Sequence, residues 1–282
     1  MALISDSDAV LDIRRILPQH QSAITLLNAM LQNPGVTDCF WLDLACGKGQ
    51  IISQLAENLS DGNRNKLSYT GYDIHVDHTR TAERIASNLN LKEFVFCHGE
   101  LSLFTNNIHN TQKYDFITCT NTAHELQPGA FTAVVLDSVL RLSTSGQLFL
   151  YDMQSLIEPE LGALPWKGTE IGVLINSIFE VLETDYRVHP STWSHTTCKG
   201  WSIVVQKQFI NKTEEEIMAK REEISVRIDH EIDRILDDRF EECNRLLQSY
   251  CRYGTETADD ERSKLAALYE FWALNRAKEV RQ

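Results

Sequence analysis

An α/β fold is predicted by two features of the 282-residue sequence. Between residues 38 and 210, short apolar runs alternate with segments whose apolar residues recur at helical spacing, a pattern typical of parallel strands joined by helices. Beyond residue 212 the alternation stops, and helical periodicity continues without glycine or proline as far as Gly254. We therefore expect a seven-stranded, mostly parallel sheet with helices on both faces, preceded by N-terminal helices and followed by a C-terminal helical hairpin.

The predicted elements can be placed in order along the chain. N-terminal helices occupy residues 6–33, with an interruption at Pro18. Strands are expected at residues 40–44, 69–74, 94–97, 114–120, 146–151 and 198–208. Helices are expected at residues 50–58, 77–89, 128–142 and 174–182.

Capping signals delimit two long helices at the end of the chain. Thr213 and Glu216 form a capping box, Gly254 ends the first helix, and Thr257 with Asp260 begins the second. The helices can pack on their own domain, form a homodimer or bind a protein partner. The expected domains are an N-terminal helical cap, a cofactor-binding domain and a C-terminal helical extension, at residues 1–37, 38–210 and 211–282.

Composition and charge favour a cytoplasmic protein and disfavour a nucleic-acid partner. The 40 acidic residues outnumber the 27 basic ones, and the resulting net charge of −13 repels phosphate backbones. No apolar run approaches the roughly 20 residues that span a membrane, and the first ten residues carry two acids and no basic residue, unlike a targeting peptide. The seven cysteines show no CxxC spacing, which predicts free thiols and no metal site.

A ligand-binding turn is predicted where the first strand ends, in Asp43-Leu44-Ala45-Cys46-Gly47-Lys48-Gly49. The two glycines let the backbone approach a ligand closely, where a Cβ atom would clash. Such a turn suits a dinucleotide or S-adenosylmethionine (SAM). A dinucleotide site requires a third small residue, whereas this chain has Ile52. Asp43 would repel a pyrophosphate and favours the ammonium and sulfonium groups of SAM.

The spacing of Asp43, Ala45, Gly47 and Gly49 resembles motif I of the class I SAM-dependent methyltransferases. The resemblance extends over about residues 38–208 and implies a Rossmann-like fold with SAM as cofactor. It implies that Asp73, about 26 residues after Gly47, binds the ribose hydroxyls. The residues that it implies in cofactor binding are Asp43, Ala45, Cys46, Gly47, Gly49, Asp73, Ile74, Glu100, Leu101 and Asn121.

The segment after the fourth predicted strand, Asn121-Thr122-Ala123-His124-Glu125, resembles the family's fourth motif, which lies beside the transferred methyl group. A hydroxyl, an acid or a protonated amine needs a base before it can accept a methyl group. His124 is the candidate base, and Glu125 and Asn121 are candidates for orienting the acceptor or the cofactor. The alternative for His124 is a histidine at a helix N-terminus that bonds to backbone.

Three further segments have two interpretations each. Residues 190–195 line an acceptor pocket or form an ordinary loop. His75, Asp77 and His78 begin a solvated helix or bind a metal. Residues three apart share one face of a helix, but no third close ligand is evident, so the helix start is favoured. Trp166 belongs to a substrate lid or to the core.

The function expected from these observations is that of a SAM-dependent methyltransferase acting on a small-molecule or protein acceptor, whose identity the sequence leaves open. The alternative is a SAM-binding subunit, either non-catalytic or dependent on a partner in a larger assembly, and the C-terminal hairpin motivates it. A nicotinamide oxidoreductase is disfavoured by Ile52 and Asp43.

Overall fold

The computed structural model describes residues 19–109, 111–155, 163–194 and 199–281 and contains the expected α/β fold. The predicted helical residues 6–18 lie outside this part of the chain, as do His195 and Cys198. The strands are β1 (Cys39–Leu44), β2 (Leu67–Asp73), β3 (Glu93–His98), β4 (Tyr114–Thr120), β5 (Leu142–Met153), β6 (Ser191–Ser194) and β7 (Lys199–Gln206). They form one seven-stranded sheet in the order β3-β2-β1-β4-β5-β7-β6.

The helices lie largely where the periodicity predicts them. The capping box is present, since the Glu216 amide donates to Thr213 Oγ1 (3.2 Å) and the Thr213 amide donates to Glu216 Oε2 (2.7 Å). The described α-helices are α1 (Gln19–Leu31), α2 (Leu55–Asn58), α3 (Asp61–Arg64), α4 (Val76–Ala86), α5 (Phe104–Asn107), α6 (Pro128–Arg141), α7 (Gly168–Val181), α8 (Glu214–Ala219), α9 (Arg221–Tyr253) and α10 (Ala258–Arg281).

Two predicted helices were wrong in detail. Instead of one helix over 50–58, a 3-10 helix, Ile52–Gln54, precedes the single turn of α2. The three-residue turn brings Ile52 and Leu55 to the same side, where both are fully buried. The helix expected from Thr213 is interrupted at Lys220, whose amide bonds to the carbonyl of Ile217 (3.2 Å) and closes α8 with a tight turn.

The interpretation of residues 190–195 as a loop was also wrong for its described part. Ser191–Ser194 is strand β6, which pairs antiparallel with β7, and Thr192 lies opposite Trp201. The antiparallel partner could not be recognised from this polar four-residue strand alone, because such short runs lack a clear alternation.

Parallel pairing brings several strand ends to one edge of the sheet. Strand β1 pairs in parallel with β2 and β4, and β4 pairs in parallel with β5. The carboxyl ends of these strands therefore lie at the same edge, which is where open α/β sheets bind their ligands. Asp43, Asp73 and Asp152 belong to the last two residues of β1, β2 and β5.

The chain divides into two compact units. Of the described residues, the first unit comprises 19–109, 111–120, 136–151 and 204–211, and the second comprises 121–135, 152–155, 163–194, 199–203 and 212–281. In the first unit, the buried rings of Trp41 and Tyr69 pack edge to face with centroids 4.9 Å apart.

The second unit is held together by a buried arginine. Arg239 of α9 is 6% exposed and donates to Glu270 Oε1 of α10 (2.6 Å) and to the carbonyl of Pro165 (2.8 Å). Its guanidinium also lies 3.6 Å from Glu170 of α7. Burial raises the pKa of Glu170, and the guanidinium opposes that rise. One cation thus neutralises carboxylates on two other helices.

We expect Arg239→Met to lower the free energy of unfolding by about 3 kcal/mol, because it leaves a buried carboxylate without its counter-ion. Urea denaturation measures the effect. The double variant Arg239→Met/Glu170→Gln removes that carboxylate as well and should recover part of the loss. If the double variant lost as much free energy of unfolding as the two single variants lose together, this role for the ion pair would be contradicted.

Candidate active site

The turn after β1 has the backbone conformation that its glycines predict. Ala45, Gly47 and Gly49 have φ values of +54°, +54° and +85°. A Cβ atom at Gly49 would lie 3.0 Å from the Cα and Cβ atoms of Ala82, so this glycine is required for packing. A Cβ atom at Gly47 would meet nothing within 4 Å. The Gly47 face of the turn is therefore open to a ligand.

Asp43 lies beneath this turn with both carboxylate oxygens engaged. Thr118 Oγ1 donates to Oδ1 (2.6 Å) and the Tyr69 hydroxyl donates to Oδ2 (3.0 Å), while Trp41 Nε1 donates to Thr118 Oγ1 (2.9 Å). Burial raises the pKa of Asp43 to about 7; the two hydroxyl donors oppose the rise and nearby Asp73 adds to it. Asp43 is 1% exposed, so its carboxyl group is out of direct reach of a ligand.

This raised pKa predicts a pH dependence of stability that Asp43→Asn should remove. Because the pKa of Asp43 lies above the ordinary value of 3.8, folding takes up a proton between about pH 4 and pH 7. The free energy of unfolding therefore falls as the pH rises through that range. Wild type should therefore lose stability relative to Asp43→Asn between about pH 4 and pH 8 in urea titrations. If the difference in the free energy of unfolding between wild type and Asp43→Asn did not change with pH, the expectation would be contradicted.

Asp73, at the end of β2, connects the turn to the next loop. Its Oδ2 accepts from the Gly47 amide (2.9 Å) and its Oδ1 accepts from the His75 amide (2.8 Å). His78 Nδ1 lies 3.6 Å from Oδ1. A carboxylate has about four acceptor positions, so Asp73 retains capacity for two hydroxyl donors. The side chain of Ile74 beside it is 57% exposed, an apolar surface at the ligand edge of the sheet.

The loop after β3 holds two more of the predicted cofactor-binding residues, Glu100 and Leu101. The Tyr72 hydroxyl donates to the carbonyl of Glu100 (3.0 Å), and Asn107 Nδ2 donates to that hydroxyl (3.0 Å). These bonds fix the backbone, while the Glu100 side chain is exposed and Leu101 is half-buried. The amide of Cys46 bonds to the carbonyl of Tyr72 (3.0 Å), so its backbone contributes to the scaffold of the turn.

Three observations fit the cofactor that the sequence implies. The space in front of Gly47 is open, and Ile74 offers an exposed apolar side chain to a flat ring. Asn121, directly after β4, has a φ of +53°, and its Oδ1 is buried with no hydrogen-bond partner in the described chain. A buried acceptor without a partner is costly, so Asn121 Oδ1 is suited to a donor supplied by a ligand.

His124 and Asp152 form a buried pair in the second unit. His124 Nδ1 lies 2.7 Å from Asp152 Oδ1, and the His124 amide donates to Asp152 Oδ2 (2.8 Å). Their side chains are 2% and 1% exposed. Because an ionised carboxylate only accepts, the bond to Asp152 requires a proton on Nδ1. The other ring nitrogen, Nε2, lies 3.9 Å from Glu125 Oε1.

Sequence reasoning predicted His124 and missed its partner. Asp152 stands at the end of the fifth strand, and an acid at that position was the only signal in the sequence. The backbone-bonded alternative for His124 does not account for the bond between the ring and the carboxylate. Such a bond fixes the orientation of an imidazole and stabilises its protonated form.

Two further alternatives concern Trp166 and the His75–His78 pair. Trp166 is 1% exposed and belongs to the core. His75 and His78 have ring centroids 4.8 Å apart, and the described residues contain no group of three or more His, Cys, Asp or Glu side chains placed to hold a metal. Within the described ranges, none of the helices combines the length and apolar character needed to cross a membrane.

Comparisons with known proteins identify the family to which the chain belongs. A family model described as a methyltransferase domain matches residues 37–223, more than half of the chain. The SAM-bound magnesium protoporphyrin IX methyltransferase from Synechocystis PCC 6803 is 14% identical with a TM-score of 0.48, over 73% of this chain and 86% of that one. The DszA carbon methyltransferase is 16% identical with a TM-score of 0.51, over 68% and 53%.

An rRNA methylase from Streptococcus thermophilus is 11% identical with a TM-score of 0.46, over 67% of this chain and 96% of that one. No curated protein sequence matches. At these identities, likeness to the solved structures concerns the fold alone. The family model, in contrast, covers residues 37–223 and includes the turn after β1, Asp73 and the His124–Asp152 pair. The chain therefore belongs to the methyltransferase-domain family, which uses SAM as its cofactor.

Proposed function

We propose that the chain transfers a methyl group from SAM to a hydroxyl of a small-molecule acceptor, with His124 as the general base. The observation that carries the proposal is the buried His124–Asp152 pair. His124 follows β4 by four residues, and Asp152 is the second-last residue of β5.

Bound SAM supplies a methyl group on a sulfonium, which is already a good leaving group. The chain therefore needs to hold the acceptor in line, exclude water and remove the hydroxyl proton. In this proposal the acceptor gives its proton to His124 Nε2. The Asp152 carboxylate balances the positive charge that forms on the imidazole ring.

The cofactor roles proposed for the other residues follow from their chemistry. Asp73 accepts hydrogen bonds from both ribose hydroxyls at its remaining lone pairs. Ile74 and Leu101 contact the adenine ring, and Glu100 accepts from the adenine amino group. The buried Oδ1 of Asn121 accepts from the ammonium group of the cofactor.

A small-molecule acceptor is proposed rather than a nucleic acid because the chain carries a net charge of −13. The test is the release of demethylated SAM by the purified protein with separate sets of small hydroxyl compounds, proteins and RNA. Turnover on small molecules that is lost in His124→Gln supports the proposal. Turnover confined to protein or RNA, or SAM binding without turnover until another protein is added, contradicts it and favours a partner-dependent subunit.

A further inference from the structure

The second unit contains a cavity of ≈ 680 Å³ to which none of the preceding roles is assigned. Residues 125–130, directly after His124, form one wall, and α9 and α10 form others. Drug-sized ligands occupy cavities of roughly 300–1,000 Å³, so the volume suits a small molecule. The family match ends at residue 223, so these helical walls come from the part of the chain beyond it.

The cavity adjoins the candidate base through two residues that line it. Glu125 Oε1 lies 3.9 Å from His124 Nε2, the nitrogen to which the proposed function assigns the acceptor's proton. The amide of Leu164 donates to the carbonyl of His124 (2.7 Å). The wall of the cavity is therefore continuous with the backbone that positions the base.

The C-terminal helices fix this wall from the other side. Tyr269 donates to the carbonyl of Ala163 (3.4 Å), and Arg239 donates to the carbonyl of Pro165 (2.8 Å). The two residues that flank Leu164 are thus anchored to α10 and α9. A segment held at successive residues keeps a constant shape, which a pocket requires to select its ligand.

Charge and aromaticity indicate what the cavity accepts. Three carboxylates line it, at Glu125, Asp229 and Asp233, against the two guanidinium groups of Arg276 and Arg281, which leaves one negative charge. Arg281 is bonded to both aspartates, at 3.1 Å and 2.8 Å. An anionic ligand would therefore be repelled.

One of the side chains that line the cavity is an exposed aromatic ring. Trp272 of α10 is 43% exposed, whereas three other tryptophans, Trp41, Trp166 and Trp201, are at most 1% exposed. Val280, one of the lining residues, is 47% exposed. An accessible indole at a cavity wall favours a flat ring, since aromatic pairs add about 0.5–1.5 kcal/mol beyond burial.

We propose that this cavity is the acceptor pocket and that it takes an uncharged or cationic aromatic molecule bearing a hydroxyl. The inference rests on the proposed function, because the hydroxyl is the group that His124 would deprotonate. It assigns α9 and α10 to substrate recognition rather than to docking of another protein.

A pair of substitutions on one helix tests the pocket. Ala277 of α10 lines the cavity and is half-buried, so Ala277→Trp fills space there without removing a polar contact. Ala266 of the same helix is exposed and lies outside the lining, so Ala266→Trp is the matched control. Circular dichroism confirms that both variants keep the fold.

The probes are three hydroxyindoles of similar shape: cationic 5-hydroxytryptamine, neutral 5-hydroxytryptophol and anionic 5-hydroxyindole-3-acetate. Each is titrated calorimetrically into wild type and both variants, with and without demethylated SAM. The first two should bind wild type, at least about tenfold more tightly than the anion, which corresponds to about 1.4 kcal/mol. Ala277→Trp should weaken them at least about tenfold, and Ala266→Trp should leave them unchanged.

Three results would each overturn the pocket assignment. They are equal binding of the probes by Ala277→Trp and wild type, tighter binding of the anion than of the other two probes, and no binding of the neutral and cationic probes. The titrations without demethylated SAM keep this test independent of the cofactor. Failure of demethylated SAM to bind wild type would instead count against the proposed function.

Discussion

Replacing His124 by glutamine is expected to lower kcat about 100- to 10,000-fold, the range of a general base, while SAM affinity stays unchanged. Glutamine keeps a polar side chain, but its amide nitrogen is not basic and cannot take the hydroxyl proton that Nε2 of His124 would accept. The ring is buried and bonded to Asp152 at 2.7 Å, so it is oriented before the acceptor binds. Single-turnover rates of methyl transfer at saturating SAM measure the chemical step.

The acidity of the acceptor separates catalysis from a structural role. A phenol of pKa near 10 needs the base, whereas a nitrophenol is largely ionised at pH 8, so the defect of His124→Gln should shrink with the nitrophenol. Both acceptors are compared at saturating concentration, so that the weaker binding expected of the anion does not affect the rate of the chemical step. Asp152→Asn should show the same dependence if Asp152 positions the base. His189→Gln, at an exposed histidine of the second unit, is the control. A loss that is equal for both acceptors would contradict the assignment.

Asp73→Ala is expected to weaken SAM binding about 100- to 10,000-fold. Two hydrogen bonds from ribose hydroxyls to a charged acceptor contribute about 1.5–3 kcal/mol each, which gives that range when both are lost. The alanine also removes the acceptor of the Gly47 amide, so the turn loses a fixed contact as well. Calorimetric titration with SAM measures the change in affinity.

Two companion variants define the cause of that loss. Asp77→Ala removes an acid whose side chain is 89% exposed in the first turn of α4, and it should bind SAM like wild type. Asp73→Asn keeps the shape with fewer acceptor positions, so its affinity should lie between those of wild type and Asp73→Ala. Equal affinity of Asp73→Ala and Asp77→Ala would remove Asp73 from the cofactor site.

Local sequence signals predicted much of the fold and the cofactor-binding turn. The bounds of β4 agree with the prediction at both ends, because Tyr114–Thr120 is rich in the aromatic and β-branched residues that favour strands. The end of α9 at Gly254 also agrees, since a φ of +74° there suits glycine. In each case the determinant lies within a few residues of the element that it specifies.

Features that depend on distant residues could not be predicted. Asp152 lies 28 residues from His124, and Asp229 lies 52 residues from Arg281. These pairs arise when parallel strands or packed helices bring separate segments together, and residue spacing does not encode that. The cavity walls come from segments as far apart as Glu125 and Arg281, so the proposed acceptor pocket emerged only from the structure.

We propose that this chain holds SAM through the turn after β1 and Asp73. The most direct test is a calorimetric titration of the purified wild-type protein with SAM and its demethylated product, alongside NAD. We expect binding of SAM and its product and none of NAD. Binding of NAD in place of SAM, or no binding of SAM by protein whose folding is verified, would contradict the proposal.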